Sequence, residues 1–388
     1  MPPMLPRRSL LAGGALLAAG GPALLSTAPE ARAASRVVTE RRLDERLVEL
    51  TVDSPALAAR STVALLTPRG WRERGPDDRW PTLYLLAGGD GDHTVWTTMF
   101  RVQDLPELRD VLVVMPAMPL FGFWTDWWNH GAGGPPRVRS HFLREVVPLV
   151  EERYGAGPRR AAAGESQGGF GALSFASRVP GLFRAVASFG APVHPIRHPE
   201  VWLSGAAFVG IDGHAIFGDP WKQWEVWLDW DPFHRAEGLR RTPVYLAAGD
   251  GTPGPLDGDE PEPHIPGTEK WIALLPDDVV SVTEAVCGRE ARILGRRLEQ
   301  LGAPVTTHIY PGTHTGTYGH RELRHALPML TRALLRPTRG GRGKGRGGPA
   351  SWSGTRAGAP GRPGCRSSPS STRSWTRTTR SGSPGTGT

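Results

Sequence analysis

The stretch that decides the fold is Ala161-Ala162-Ala163-Gly164-Glu165-Ser166-Gln167-Gly168-Gly169-Phe170-Gly171-Ala172-Leu173. Small apolar residues lead into G-x-S-x-G, and a helical pattern follows it. A strand, a sharp turn and a helix are the setting in which this pentapeptide presents a serine. The serine sits in a strained turn, so small residues are needed two before and two after it, where side chains would collide. A helix N-terminus behind it favours developing negative charge. The pentapeptide alone also occurs as a plain Ser/Gly-rich turn; its flanks select the nucleophile reading for Ser166.

Working outward, Ser61–Pro68, Thr82–Gly89 and Val111–Met118 are short runs rich in Val, Leu and Tyr, each ending at or near Gly or Pro, and they follow a charged stretch. Arg184–Phe189, Pro243–Gly249 and Val305–Tyr310 read the same way. These are buried-strand signals. Helical periodicity occupies Val138–Tyr154, Phe170–Arg178, Glu290–Leu301 and Arg321–Leu335. Such alternation implies an α/β fold with a mostly parallel sheet covered by helices on both faces. The Pro/Trp-rich segment from Ala191 to Pro232 breaks the rhythm and reads as an insertion near the site. Within it Trp221, Trp224, Trp227 and Trp230 recur every third residue. On a helix they form one aromatic stripe, either packing or the wall of a substrate pocket.

A serine hydroxyl needs a base, and in folds of this kind the histidine comes late in the chain. Beyond Gly251 stand His264, His308, His314, His320 and His325. His308 falls in a strand pattern, and His320 and His325 lie in or beside the last helix, where solvated or core roles suffice. His314 follows the last strand in Pro311-Gly312-Thr313-His314-Thr315, at the C-terminal edge of the sheet where catalytic groups collect. For the acid, position alone chooses Asp250, which ends the strand Pro243–Gly249 and keeps the order Ser, Asp, His. Glu284, at the approach to the next large helix, is the other candidate. Glu290 is nearer the histidine but reads as a solvated helix position.

Leu83-Tyr84-Leu85-Leu86-Ala87-Gly88-Gly89, Asp126-Trp127, the serine turn, Gly249-Asp250-Gly251-Thr252-Pro253-Gly254 and Gly312-Thr313-His314 recur here in the order of the esterase D-like family of α/β hydrolases. The segment from Thr51 to Leu335 resembles its antigen 85 mycolyltransferase branch most. The resemblance implies an α/β-hydrolase fold and an acyl-enzyme route in which Ser166 attacks an ester carbonyl and His314 shuttles the proton. It implies an oxyanion hole from the backbone N–H groups of Gln167 and Gly89. It also shifts the acid to Glu284, because the mycolyltransferases have Asn at the Asp250 position and draw their acid from a Glu about thirty residues before the histidine. Mycolyltransferases carry Asp and Arg where this chain has Ala87 and Asp90, and an aromatic residue where Gly316 stands, so their trehalose site and mycolate specificity do not transfer.

The ends are different in kind. Arg7-Arg8-Ser9-Leu10-Leu11, the Ala/Gly/Leu run from Ala12 to Leu25 and Ala31-Arg32-Ala33 read as residues 1–33 of a twin-arginine-like secretory signal. Residues 336–388 are Gly, Arg, Ser and Pro, too poor in apolar side chains to fold, and are expected to be disordered. Ten basic and no acidic residues stand from Pro337 onward, so the net +8 of the chain falls to −2 for the rest. The basic pI therefore belongs to the tail, and no nucleic-acid partner is expected. Two cysteines, Cys287 and Cys365, give no disulfide framework and no metal-ligand spacing.

The sequence thus describes a catalytic domain of residues 34–335, secreted or held at the cell envelope, that needs no cofactor or metal. The expected function is a serine carboxylic-ester hydrolase acting on a small-molecule or lipid ester, including cell-envelope glycolipids and glycerides. An acyltransferase to a sugar or glyceride hydroxyl shares every one of these residues. A non-catalytic surface-binding protein is the rival from outside enzymology.

Overall fold

The structure is a computed structural model that describes residues 36–259 and 265–336. The expected leader at 1–33, the tail beyond Arg336 and His264 lie outside the described residues.

Among the described residues nine strands form one sheet: β1 Arg36–Arg42, β2 Leu47–Ser54, β3 Ala59–Leu66, β4 Trp80–Leu86, β5 Leu112–Pro116, β6 Ala156–Glu165, β7 Val186–Phe189, β8 Val244–Gly249 and β9 Val305–Tyr310. Their order is β1-β2-β3-β5-β4-β6-β7-β8-β9. β1, β2, β3 and β5 pair antiparallel, and the run from β5 through β9 is parallel. The charged stretch ahead of Ser61 thus contributes β1 and β2, two strands missed by a search for apolar runs. In β2, buried residues alternate with partly exposed ones, placing Val48, Leu50 and Val52 on the core face. β1 is mostly exposed, and its Arg and Glu side chains suit an edge that must not recruit another strand.

The central strands are apolar on both faces because helices cover both. Along β4, Tyr84 and Leu86 enter the core on one side and Leu83 and Leu85 the core on the other. The first side is covered by α1 (Val147–Arg153), α2 (Gln167–Arg178) and, past the insertion, α6 (Val282–Gln300). The second is covered by α7 (Gly316–Leu335), whose Leu323, Leu327, Leu330 and Leu334 recur at helical spacing on the buried face. This is the mostly parallel sheet with helices on both faces expected from the alternation of strands and helices, and it is the α/β-hydrolase arrangement that the family resemblance implies. Between 138 and 153 the chain is not one regular helix: a π-helical turn, His141–Val146, precedes α1. The insertion folds as a 3-10 turn, Pro195–Arg197, and three short α-helices, α3 Pro199–Phe208, α4 Gly213–Phe217 and α5 Trp224–Trp230.

The four tryptophans that recur every third residue, Trp221 to Trp230, do not form one stripe. Residues three apart on a helix drift around its surface, and Trp227 and Trp230 are buried while Trp221 and Trp224 are exposed. Trp227 donates its ring N–H to the Gly218 carbonyl at 3.0 Å and packs on Phe217. Trp230 also borders a groove of about 390 Å³ with Trp127, Trp128, Arg137 and Arg144. Packing therefore accounts for Trp227, and a groove wall for Trp230 alone.

Phe142 joins the helices to the sheet: its ring centre lies 5.3 Å from Tyr84, 5.9 Å from Trp124 and 5.1 Å from Phe175, and it is fully buried. Phe142→Ala should lower unfolding stability by about 3–5 kcal/mol, read from urea denaturation. A loss under about 1 kcal/mol would show that this cluster does not sustain the core.

Candidate active site

β6 ends at Glu165 and α2 begins at Gln167, so Ser166 alone makes the turn between them. Its backbone sits at φ 50°, ψ −124°, a conformation that costs a non-glycine residue about 1–3 kcal/mol. Main-chain bonds hold it there: Ser166 N–H donates to the Phe189 carbonyl at 2.7 Å, and the Ser166 carbonyl accepts from Gly169 at 3.0 Å. A Cβ on Gly164 would collide with the Gly168 backbone, and one on Gly168 with the Leu86 carbonyl. The close approach of β4, β6 and α2 thus requires glycine at both positions.

The structure brings Ser166, His314 and Glu284 together. His314 Nε2 lies 3.1 Å from Ser166 Oγ, and His314 Nδ1 lies 2.5 Å from Glu284 Oε2. The second oxygen of Glu284 accepts the Gly249 N–H at 2.5 Å, at the end of β8. Glu284 is 2% exposed and the His314 side chain 26% exposed, so the carboxylate is buried behind a partly accessible imidazole. Asp250, the alternative acid, is turned elsewhere: its Oδ1 accepts from Thr252 N–H at 3.0 Å and Thr252 Oγ at 2.7 Å. Position at a strand end favoured Asp250, but its Oδ1 is engaged in a tight Asx turn with Thr252.

Two supports escaped the sequence reading. Ser281 caps α6 by accepting the Glu284 N–H at 3.1 Å, so the helix starts at Val282 rather than Glu290 and Glu284 occupies its first turn. The signal was legible: Ser281-x-x-Glu284 is a capping-box pattern, here with the Glu side chain diverted to the histidine. Asp257 holds the histidine loop, taking Thr313 Oγ at 2.6 Å and Thr313 N–H at 3.1 Å. Burial works to raise the Asp257 carboxyl, but the bonds from Thr313 and from the Gly254 N–H outweigh it and hold it below the usual range.

Glu290 is not a solvated helix residue. It is fully buried and accepts the His194 N–H at 2.8 Å, and burial drives its carboxyl well above the usual range. α6 packs on β8 and β9, and Glu290 on its buried side reaches the loop after β7.

The loop after β4 is clamped from outside. Gln167 Oε1 accepts Phe123 N–H at 3.1 Å, the Gly89 carbonyl accepts Phe121 N–H at 2.6 Å, and the Ala87 carbonyl accepts Trp124 Nε1–H at 3.0 Å. Phe121, Phe123 and Trp124 all have φ between 52° and 55°, the left-handed region that L side chains rarely enter. Asp126 anchors the far end by accepting the Ser140 N–H and hydroxyl, both at 2.8 Å. The clamp places Gly89 against Gln167: a Cβ on Gly89 would stand 2.8 Å from Gln167 Nε2.

Two groups among the described residues have metal-ligand composition, His194–Asp231–His234 and His308–Glu322–His325. Asp231 already accepts His194 Nδ1 at 2.9 Å and the N–H groups of Phe233 and His234. Glu322 holds Tyr245 OH at 2.6 Å, His308 Nδ1 at 2.9 Å and Arg321 Nε at 2.6 Å. A guanidinium on the carboxylate opposes a second cation. Both groups read as internal ion-pair networks, and the second accounts for His308, with His325 nearby.

The family model described as "Putative esterase" matches residues 54–327. The chain belongs to this esterase family. It is 28% identical to Esterase Rv1288 of Mycobacterium tuberculosis over 291 residues, covering 72% of this chain and 58% of that protein. The chain therefore spans less than two thirds of the length of the curated relative it matches. The MPT51 structure from Mycobacterium tuberculosis superposes with a TM-score of 0.55 at 20% identity, covering 72% of this chain and 96% of that one. An S-formylglutathione hydrolase from Agrobacterium tumefaciens gives 0.57 at 14% identity, covering 77% and 99%. At these identities the two structures carry the fold, and the fold agrees with the esterase resemblance read from the sequence.

The short His314–Glu284 contact should give a ring N–H proton resonance far downfield in NMR spectra. Glu284→Gln should remove it and Asp250→Asn leave it in place; the opposite pattern would assign the histidine's partner to Asp250.

Proposed function

We propose that this chain is an exported serine carboxylic-ester hydrolase whose acyl-enzyme forms on Ser166. The observation that carries the proposal is the continuous hydrogen-bonded line from Ser166 Oγ through His314 to the buried Glu284. His314 Nε2 takes the hydroxyl proton as Oγ bonds to the ester carbonyl carbon, and Glu284 holds the resulting imidazolium in orientation. The carbonyl π electrons move to oxygen, where the N–H groups of Gln167 and Gly89 receive the charge, aided by the N-terminus of α2. Collapse expels the alcohol, protonated by His314. Water then enters and its oxygen bonds to the acyl carbon as His314 takes its proton; the acyl–Oγ bond breaks, His314 returns the proton to Ser166 Oγ and the acid leaves.

The same acyl-enzyme would serve a transferase if an alcohol entered instead of water. Ala87 and Asp90 favour water: they replace the Asp and Arg that the mycolyltransferase resemblance ties to trehalose, and Asp90 Oδ1 is engaged with the Asp92 N–H at 3.1 Å. The substrate class is a small-molecule or lipid ester, cell-envelope glycolipids and glycerides included, and nucleic acid is not a partner. Residues 34–335 form the catalytic domain. Export follows from the twin-arginine-like leader at 1–33. No described helix is long and apolar enough to cross a membrane.

Ser166→Ala should keep the fold and lower nitrophenyl-ester turnover by several orders of magnitude, since nucleophile and base act as a unit. More than about a tenth of wild-type activity, contamination excluded, would refute the site. Glu284→Gln should cost about four powers of ten in kcat and Asp250→Asn little. With trehalose added to a lipid ester, free acid should remain the product; acyl-trehalose as the main product would replace the hydrolase reading by the transferase.

A further inference from the structure

Glu165, the residue before the nucleophile, is used by nothing above. It ends β6 with its side chain turned across to the loop after β4, where Oε1 accepts the Gly88 N–H at 2.6 Å. A Cβ on Gly88 would stand 2.9 Å from Glu165 Cδ and 3.0 Å from Oε2, so glycine is what lets the carboxyl lie flat against this backbone. The carboxyl also borders a cavity of about 50 Å³ shared with Glu284, His314 and Tyr310. Burial raises it above the usual carboxyl range, with His314 drawing it back down. A carboxyl kept in such a place is costly unless a bond to it is of use.

The use follows from the next peptide. Gly88 and Gly89 are adjacent, and glycines have the most freedom to rotate. The Gly89 N–H is one of the two proposed oxyanion donors, and its aim depends on how the Gly88 main chain is held. Glu165 fixes that chain from beneath at the Gly88 N–H, and Phe121 fixes it from outside at the Gly89 carbonyl. Resting on the serine-esterase reading, we propose that Glu165 is a positioning residue whose hydrogen bond to Gly88 aims the Gly89 N–H at the developing oxyanion.

Glu165 stands beside Ser166 in sequence, so one residue exposes the nucleophile while its predecessor orients the charge acceptor across the cleft. The role needs an acceptor oxygen at this place and does not need a negative charge. Glu165→Gln keeps such an oxygen and Glu165→Ala removes it.

The test is kcat and KM on a nitrophenyl ester for wild type, Glu165→Gln, Glu165→Ala and Ser166→Ala, with melting temperatures. Losing the aim of one oxyanion donor should lower kcat of Glu165→Ala by about 10- to 100-fold, toward the loss seen when a donor is removed outright. KM should stay within about twofold, because the donor acts on the transition state. Glu165→Gln should recover most of kcat. Wild-type kcat in Glu165→Ala would overturn the inference. So would equal loss in Ala and Gln, or a loss that appears in KM or tracks a fall in melting temperature. If Ser166→Ala remains active the serine reading fails first; if it is inactive and Glu165→Ala is not impaired, only this inference fails.

Discussion

The backbone of Ser166 is the constraint on which the rest depends. At φ 50° the chain must leave β6 and enter α2 within one residue, and the Phe189 carbonyl must be waiting for the Ser166 N–H. That geometry is open only if α2 drops onto the strand ends, which puts the Gly168 position against the Leu86 carbonyl and the Gly164 position against Gly168. The strain is offset by packing around it: α2 is buried along nearly its whole length, with Phe170 and Phe175 in the aromatic core that contains Trp124 and Phe142. A turn of this kind persists only where its surroundings over-determine it.

The serine side and the histidine side are built on different principles. On the serine side, main-chain groups are aimed by a second strained loop, Phe121 to Trp124, and by Glu165. On the histidine side, β8 and β9 end next to each other, so Gly249 and the loop after Tyr310 meet the first turn of α6. Glu284 is fixed by its own helix cap and by the Gly249 N–H, and His314 by the Asp257 hold on Thr313. Ser166 is thereby set between a strand end and a helix start, Glu284 in a first helical turn and His314 in the loop after the last strand.

What the sequence disclosed follows the range of each interaction. The serine turn, the central strands and His314 were legible because their signals are local: small residues around a tight turn, apolar runs, a histidine in a Gly-Thr loop after the last strand. β1 and β2 were not, since strands with one exposed face hide among charges. Glu284 was reached only through family resemblance. Its claim over Asp250 rests on where α6 begins, and the Ser281 cap that sets the start is a four-residue signal. Glu290 was misplaced because a helix pattern does not say which face meets the loop after β7. Asp257 and Glu165 act across long sequence separations, on Thr313 and Gly88, and no local pattern announces such contacts.

The proposed chemistry turns on one covalent bond to Ser166, which peptide mass spectrometry after reaction with a fluorophosphonate probe would locate. A single phosphonyl adduct on Ser166 is the expected result. Labelling at a different residue, or no labelling of a protein that hydrolyses esters, would contradict it.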